Sequence, residues 1–234
     1  LLNGVNAADK IAIQQHLTGV ATITDPYRKV AADVNKSYTI STVDASIVQQ
    51  ALLGNPSALA ILNTTKSWRF VPTPPTYNFP VTTPFVIPVF PEVRTLSGIS
   101  TNQTGQNFFG IKVGDVAESA SPNNVNPNAK PDESKDPLVF MVQDRKLVDG
   151  ETVDATFKVS NFTNIAGYQF ALRFDPSQLE FDHIELLNSG LTMTTDDNFG
   201  VFNVKEGELR TLWSNVEALG LANGTGVFKV VFKA

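Results

Sequence analysis

The chain has 234 residues, enough for one large or two ordinary domains, with 42% hydrophobic residues and a net charge of −5. It carries no basic stripe to hold nucleic acid, and no apolar run approaches the ~20 residues that a membrane-spanning helix needs. With no cysteine, disulfides, zinc–thiolate centres and cysteine nucleophiles are excluded.

In chain order the first feature is an internal repeat. The stretch from Val5 to Gly19 returns thirty-five residues later as Ile40 to Gly54, with Asp9 and Asp44, the two Gln-Gln pairs, Leu17 and Leu52, and Gly19 and Gly54 coinciding. Asp33-Val34-Asn35-Lys36-Ser37 leads into the second copy. Counted from Asp33 as position 1, Asn35, Ser37, Thr39, Ser41 and Asp44 fall at positions 3, 5, 7, 9 and 12. That is the spacing of an EF-hand-type loop, in which position 7 acts through its backbone carbonyl. Oxygen ligands in this alternation suit a hard cation, so Asp33, Asn35, Ser37, Thr39, Ser41 and Asp44 are expected to bind Ca2+.

There are two departures from that pattern. Tyr38 stands at position 6, where a sharp turn normally calls for Gly, and position 12 is Asp rather than Glu. Ile40, at position 8, predicts a short β-bridge to a paired loop. A helix is predicted from Asp44, with Ile47, Val48, Ala51 and Leu52 on one face and a stop at Gly54 and Pro56. The alternative is a metal-free loop in which Asp44 only caps that helix. In the first copy Asn6 and Asp9 take positions 9 and 12 of a second candidate calcium loop. Leu1 is its position 4, so the earlier ligands are expected either to be missing or to lie upstream in a longer protein.

Two loop–helix units with Asp at position 12 resemble a type I dockerin. The resemblance extends through Asp25-Pro26-Tyr27, Thr65-Lys66-Ser67-Trp68-Arg69-Phe70-Val71, Phe90-Pro91-Glu92 and Phe109-Gly110-Ile111-Lys112-Val113-Gly114-Asp115-Val116. It covers roughly residues 1–118 and is similar to extended modules of large secreted proteins of Bacteroidetes-type bacteria. It implies a calcium-stabilised, extracellular, non-catalytic module. Partner contacts in that family come from loop positions 10 and 11 and the following helix, which here are Thr42, Val43, Gln49 and Gln50. In the first copy they are Ala7 and Ala8, then Gln14 and Gln15. The family often has Ser-Thr at positions 10 and 11, which this chain lacks. The paired glutamines also read as a solvated helix face.

Residues 63–118 change character, with seven prolines from Pro72 to Pro91 interleaved with Tyr77, Phe79, Phe85 and Phe90. Proline disrupts ladders, yet disordered linkers lack aromatics. An ordered, irregular wrap packed on the helical pair is predicted, the alternative being an aromatic sugar-binding platform. Phe108 to Val116 reads as a short strand or return segment. Residues 119–136, rich in Ser, Pro, Asn and charge, read as a linker.

From residue 137 the pattern switches to period two. Leu138–Val142, Thr152–Val159, Tyr168–Phe174 and Gly226–Lys233 read as strands separated by turn signals, which predicts a β-sandwich. Asp149-Gly150-Glu151-Thr152-Val153, Ile165 to Phe181, Phe199-Gly200, Gly207 to Trp213 and Gly224 to Phe228 resemble a cohesin-like domain. The expected fold class is therefore multidomain α+β. An EF-hand-like paired loop–helix module (1–118) with an irregular or β extension leads through a linker to an antiparallel β-sandwich of jelly-roll type (137–234).

Catalytic groups are sparse. His183 falls on a strand's outward face by alternation. Asp182 with Glu185, and Asp196 with Asp197, lack the spacing across a cleft and the raised pKa that a glycosidase pair needs. The expected function is a non-catalytic structural, adhesive or scaffolding module of a larger bacterial protein, secreted and held at the cell surface. Its expected partner is another protein or a second copy of itself, joined head-to-tail into filaments. The alternative is a carbohydrate-binding or scaffolding accessory region of a secreted glycan-degrading enzyme, with polysaccharide as ligand.

Overall fold

A computed structural model describes residues 2–64, 67–73, 79, 85, 90–121 and 137–234. The chain divides into two compact units, Leu1–Ala51 with Pro56–Val125, and Leu52–Asn55 with Asn126–Ala234.

Among the described residues the first unit holds four helices and a two-stranded sheet: α1 (Ala7–Thr18), α2 (Pro26–Ala32), α3 (Thr42–Leu52), α4 (Pro56–Thr64), β1 (Trp68–Pro72) and β2 (Phe108–Lys112). The repeat forms two helices with equivalent starts. Asn6 caps α1 in a capping box with Asp9, and Ser41 and Asp44 are placed alike at α3. The α3 helix begins two residues before the predicted Asp44, which sits in its first turn. Asp25 caps α2, with Pro26 preset for the first helical position.

The β1 and β2 strands pair antiparallel, Trp68 opposite Lys112 and Phe70 opposite Gly110. A core of Val30, Ala31, Val71, Phe79, Phe90 and Ile111 joins this hairpin to α2, with Tyr27 and Phe85 against it. The wrap's aromatics were predicted to pack on the helical pair, and Phe79 and Phe90 instead pack with α2. Arg69 sits 4.4 Å over the Phe90 ring and pairs with Glu92 at 2.7 Å. Most of the proline-rich stretch, Tyr77 included, lies outside the described residues. So do Thr65 and Lys66, and residues 122–136 of the predicted linker.

The predicted β-bridge through Ile40 does not form: Ile40 lies outside every strand. Its counterpart Val5 gives its amide to the Leu2 carbonyl, so that amide is not offered to Ile40.

The second unit is an antiparallel sandwich. One sheet runs β3–β4–β9–β6, with β3 Val139–Met141, β4 Thr152–Ser160, β6 Glu180–Leu186 and β9 Gly226–Lys233. The other runs β5–β8–β7, with β5 Ile165–Arg173, β7 Phe199–Gly200 and β8 Glu208–Leu219. One helical turn, α5 (Thr195–Asn198), precedes β7. Alternation drives the packing. Val153, Phe157 and Val159 of β4 and Phe228, Val230 and Phe232 of β9 meet Tyr168 of β5 and Leu209 and Trp213 of β8 in a single core. The rings of Phe157 and Phe228 stack at 4.6 Å, and Tyr168 lies 5.9 Å from Trp213.

Candidate functional site

In the second-copy loop every predicted position is described. Asp33 and Asp44 are both 0% exposed. Asp33 accepts the amides of Ser37 at 2.9 Å and Tyr38 at 3.0 Å, one on each carboxylate oxygen. Asp44 accepts the amides of Val34 at 2.8 Å and Asn35 at 3.3 Å on one oxygen, and that of Ser41 at 2.8 Å on the other. Ser37 Oγ lies 3.5 Å from Asp33 Oδ1 and 3.3 Å from the Thr39 carbonyl oxygen. Neighbouring oxygens around a calcium with 2.3–2.6 Å bonds stand about 3.4 Å apart, so this clustering fits a calcium shell.

Tyr38 at position 6 has φ +66°, the left-handed conformation that Gly usually supplies. The departure from Gly thus changes the residue and keeps the turn. Asn35 Oδ1 accepts the Ser37 amide. Ser41 Oγ donates to Asp44 at 3.0 Å.

The first-copy loop is completed from a distant segment. Asp115 accepts the amides of Ser119 at 2.9 Å and Ala120 at 2.8 Å, one on each oxygen. Those are the residues four and five further on, just as for Asp33. Glu118, at the place of Lys36, shares its positive φ, +59° against +58°. Ser119 Oγ donates to the Gly4 carbonyl at 2.8 Å, matching Ser37 and Thr39. Asp9 accepts the Ala117 amide at 2.8 Å and the Asn6 amide at 2.7 Å, matching Asp44 with Asn35 and Ser41. Asp115-Val116-Ala117-Glu118-Ser119-Ala120 therefore occupies positions 1 to 6, and Gly4, Asn6 and Asp9 occupy positions 7, 9 and 12. The expectation that the earlier ligands were missing or lay upstream is corrected at positions 1 and 5, where Asp115 and Ser119 stand from downstream, while Ala117 at position 3 brings no side-chain oxygen.

Sequence reasoning did not count Asp115 or Ser119 among the site residues. The signal was there in Asp115-Val116-x-x-Ser119, which echoes Asp33-Val34-x-x-Ser37. Asn6 turns its Oδ1 to the Ala8 amide at 2.8 Å, so its side chain serves as the helix cap.

Each loop buries two carboxylates against each other. Burial pushes the Asp9 pKa up to about 6, and Asp115 nearby pushes the same way. Burial likewise raises Asp33, with the Asp44 charge adding to it. A capping acid gains nothing from being buried beside a second carboxylate. A bound cation relieves that repulsion. Among the described residues no three of His, Cys, Asp and Glu converge, so each loop offers two carboxylates and otherwise neutral oxygens.

The predicted partner-contact positions differ between copies. Thr42 is exposed and Val43 is 52% exposed, whereas Ala7, at the place of Thr42, is buried. Gln14, Gln15, Gln49 and Gln50 are all half-buried.

The carboxylates weighed for catalysis lie elsewhere. Asp182 and Glu185 flank His183 at 2.8 and 3.4 Å and face Lys233 and Lys229 across the sheet surface. Hydrogen bonds from those lysines lower both carboxylate pKa values, the opposite of what a general acid requires. Asp197 accepts the Thr194 hydroxyl at the start of α5.

No curated protein matches this chain. Among solved structures, it is similar to a type I cohesin–dockerin complex from Clostridium thermocellum, at 13% identity, TM-score 0.35, covering 42% of this chain and 72% of that one. It is also similar to the seventh ScaB type I cohesin from Pseudobacteroides cellulosolvens, at 21% identity, TM-score 0.34, covering 42% of this chain and 64% of that one. Residues 142–234, nearly all of the sandwich, match the family described as Cohesin domain.

Proposed function

We propose that this chain is a non-catalytic scaffolding module of a secreted, cell-surface protein, with a calcium-stabilised first unit and a protein-docking sandwich as its second. The cohesin match over 142–234 carries the docking role, because cohesin domains act by binding dockerin partners. Calcium binding rests on the two matched loops. Asp33, Asn35, Ser37, Thr39, Ser41 and Asp44 supply one set of oxygens; Asp115, Ser119, Gly4 and Asp9 supply the other. Bound calcium would neutralise each carboxylate pair and tie the loop to its helix.

The partner is a dockerin-like module, in another protein or in a second copy of this chain. The dockerin-like resemblance of the first unit supports the second case. A contact of that kind is heterologous and builds open filaments rather than closed dimers. Sedimentation velocity over a concentration series tests it, in millimolar calcium and in EDTA. Growth with concentration in calcium alone supports head-to-tail assembly. A monomer throughout excludes self-association and leaves a foreign dockerin as the partner.

A further inference from the structure

A cleft of about 120 Å³ opens in the first unit where α2 meets the β1–β2 hairpin, and its walls include Tyr27, Arg28, Trp68, Phe109, Lys112 and Glu118. One wall is aromatic: the Phe109 ring, 42% exposed, stacks on Tyr27 at 4.3 Å. Gly110 lies in the wall beside Trp68. A Cβ there would stand 3.5 Å from Phe70 Cε1 and 3.7 Å from Trp68 Cε3, and Phe70 is 47% exposed. Those two rings already cover Gly110, so any larger side chain there would press on Trp68 in the cleft wall.

The polar groups are of both kinds. Lys112 is only 4% exposed. Among the described residues its ammonium makes one hydrogen bond, to the Val113 carbonyl at 2.9 Å, which leaves two N–H donors. Arg28 spends Nε on the Val116 carbonyl at 2.6 Å, and among the described residues its terminal N–H groups remain available. Glu118 is an exposed acceptor, and Asp115, also in the wall, is occupied by its own loop. At the mouth the half-buried Arg28 and the exposed Glu118 carry opposite charges, so no field of a single sign draws an ion there.

We propose that this cleft is a subsite for a neutral sugar ring of an extracellular glycan. A pyranose presents an apolar C–H face that lies on aromatic rings, and a rim of hydroxyls that both donate and accept. Arg28 and Lys112 would donate to ring hydroxyls, and Glu118 would accept from them. This role is separate from protein docking by the sandwich, so either can fail alone.

The test is titration calorimetry on the full calcium-loaded chain with cellopentaose, xylopentaose and mannopentaose. Trp68 fluorescence is the second readout, with the buried Trp213 as internal reference. The expected result is binding of at least one pentasaccharide with a Kd of roughly 10–1,000 µM. Trp68→Ala, and Gly110→Val, which presses on Trp68 without removing a ring, should each weaken it more than tenfold while the chain still folds and binds calcium. The inference is overturned by no heat with any of the three sugars at about 10 mM, by equal binding in both variants, or by a cleft that takes only charged saccharides or aromatic peptides.

Discussion

Asp9 accepts a hydrogen bond at 2.8 Å from the amide of Ala117, 108 positions further along the chain. That contact, with the Ser119 hydroxyl on the Gly4 carbonyl, closes the first loop from two segments at opposite ends of the first unit. A loop closed this way carries a large closure entropy that a contiguous loop does not, so whatever holds its halves together stabilises the whole unit.

Calcium should be that agent. With calcium in 100-fold excess over its dissociation constant, linkage adds about 2.7 kcal/mol for each site, or roughly 10 °C in Tm per site for a unit of this size. Calorimetric titration should count two ions per chain. Asp33→Ala and Asp44→Ala should each remove the contiguous site, and Asp115→Ala the split one, leaving one ion in every case. If the three variants lose as much Tm in EDTA as in calcium, the acids serve only as caps.

The two loops were unequally legible in the sequence. From Asp33 to Asp44 all six ligand positions are contiguous, so counting alone locates them. Asp115 lies far outside the repeat, and only its short echo of Asp33-Val34-x-x-Ser37 betrays it. The sandwich shows the same contrast. The β4 strand buries Val153, Phe157 and Val159 and exposes Asp154 and Lys158, and was readable as a strand despite the register irregularity between Phe157 and Lys158. In β8, Thr211, Leu212 and Trp213 are all buried in succession, so period two is blurred and propensity alone does not mark a twelve-residue strand. A bulge between Phe181 and His183 puts Asp182 beside His183, a placement that strict alternation does not give.

Gly4 should be irreplaceable. It combines φ +79° with a close approach, since a Cβ there would stand 2.5 Å from the Ala120 amide nitrogen. Gly98 also has a positive φ, +62°, but nothing lies within 4 Å of its would-be Cβ. Gly98→Ala should therefore show backbone strain alone, about 1 kcal/mol. Gly4→Ala should lose at least twice as much in chemical denaturation and should also weaken calcium at the split site. Equal losses would mean that the two segments do not need to approach this closely.

The pH response should change sign with calcium. For Asp9 the folded pKa, about 6, lies above the unfolded value near 3.8, so the folded state binds the proton more tightly. Without calcium, this group's contribution to stability is greatest below about pH 4 and is lost as pH rises through about 6. Lys112 and Asp115 face the same group, and Asp33 shifts in the same direction. Carboxylates lowered by lysine or arginine on the sandwich act oppositely, so the Asp9 part is read as the difference between wild type and Asp9→Asn. In EDTA that Tm difference should shift against the wild type between pH 4 and pH 7. In calcium the metal competes with the proton, and affinity should rise over the same interval. A difference that does not vary with pH would show that Asp9 is not buried as a carboxylate.

The sandwich should fail independently of calcium. Phe228 is 1% exposed, stacks on Phe157 at 4.6 Å and meets the Phe199 ring edge-on at 5.0 Å. It belongs to the central strand β9, which is hydrogen-bonded to both β4 and β6. Neither neighbouring strand can move into the space left by truncation without breaking its ladder to β9. Phe228→Ala should therefore cost about 3–5 kcal/mol in urea unfolding of the sandwich. The two calcium ions and their midpoints should not change, because both loops belong to the first unit and Phe228 to the core of the second. Loss of calcium binding in this variant would show instead that the two units fold as one.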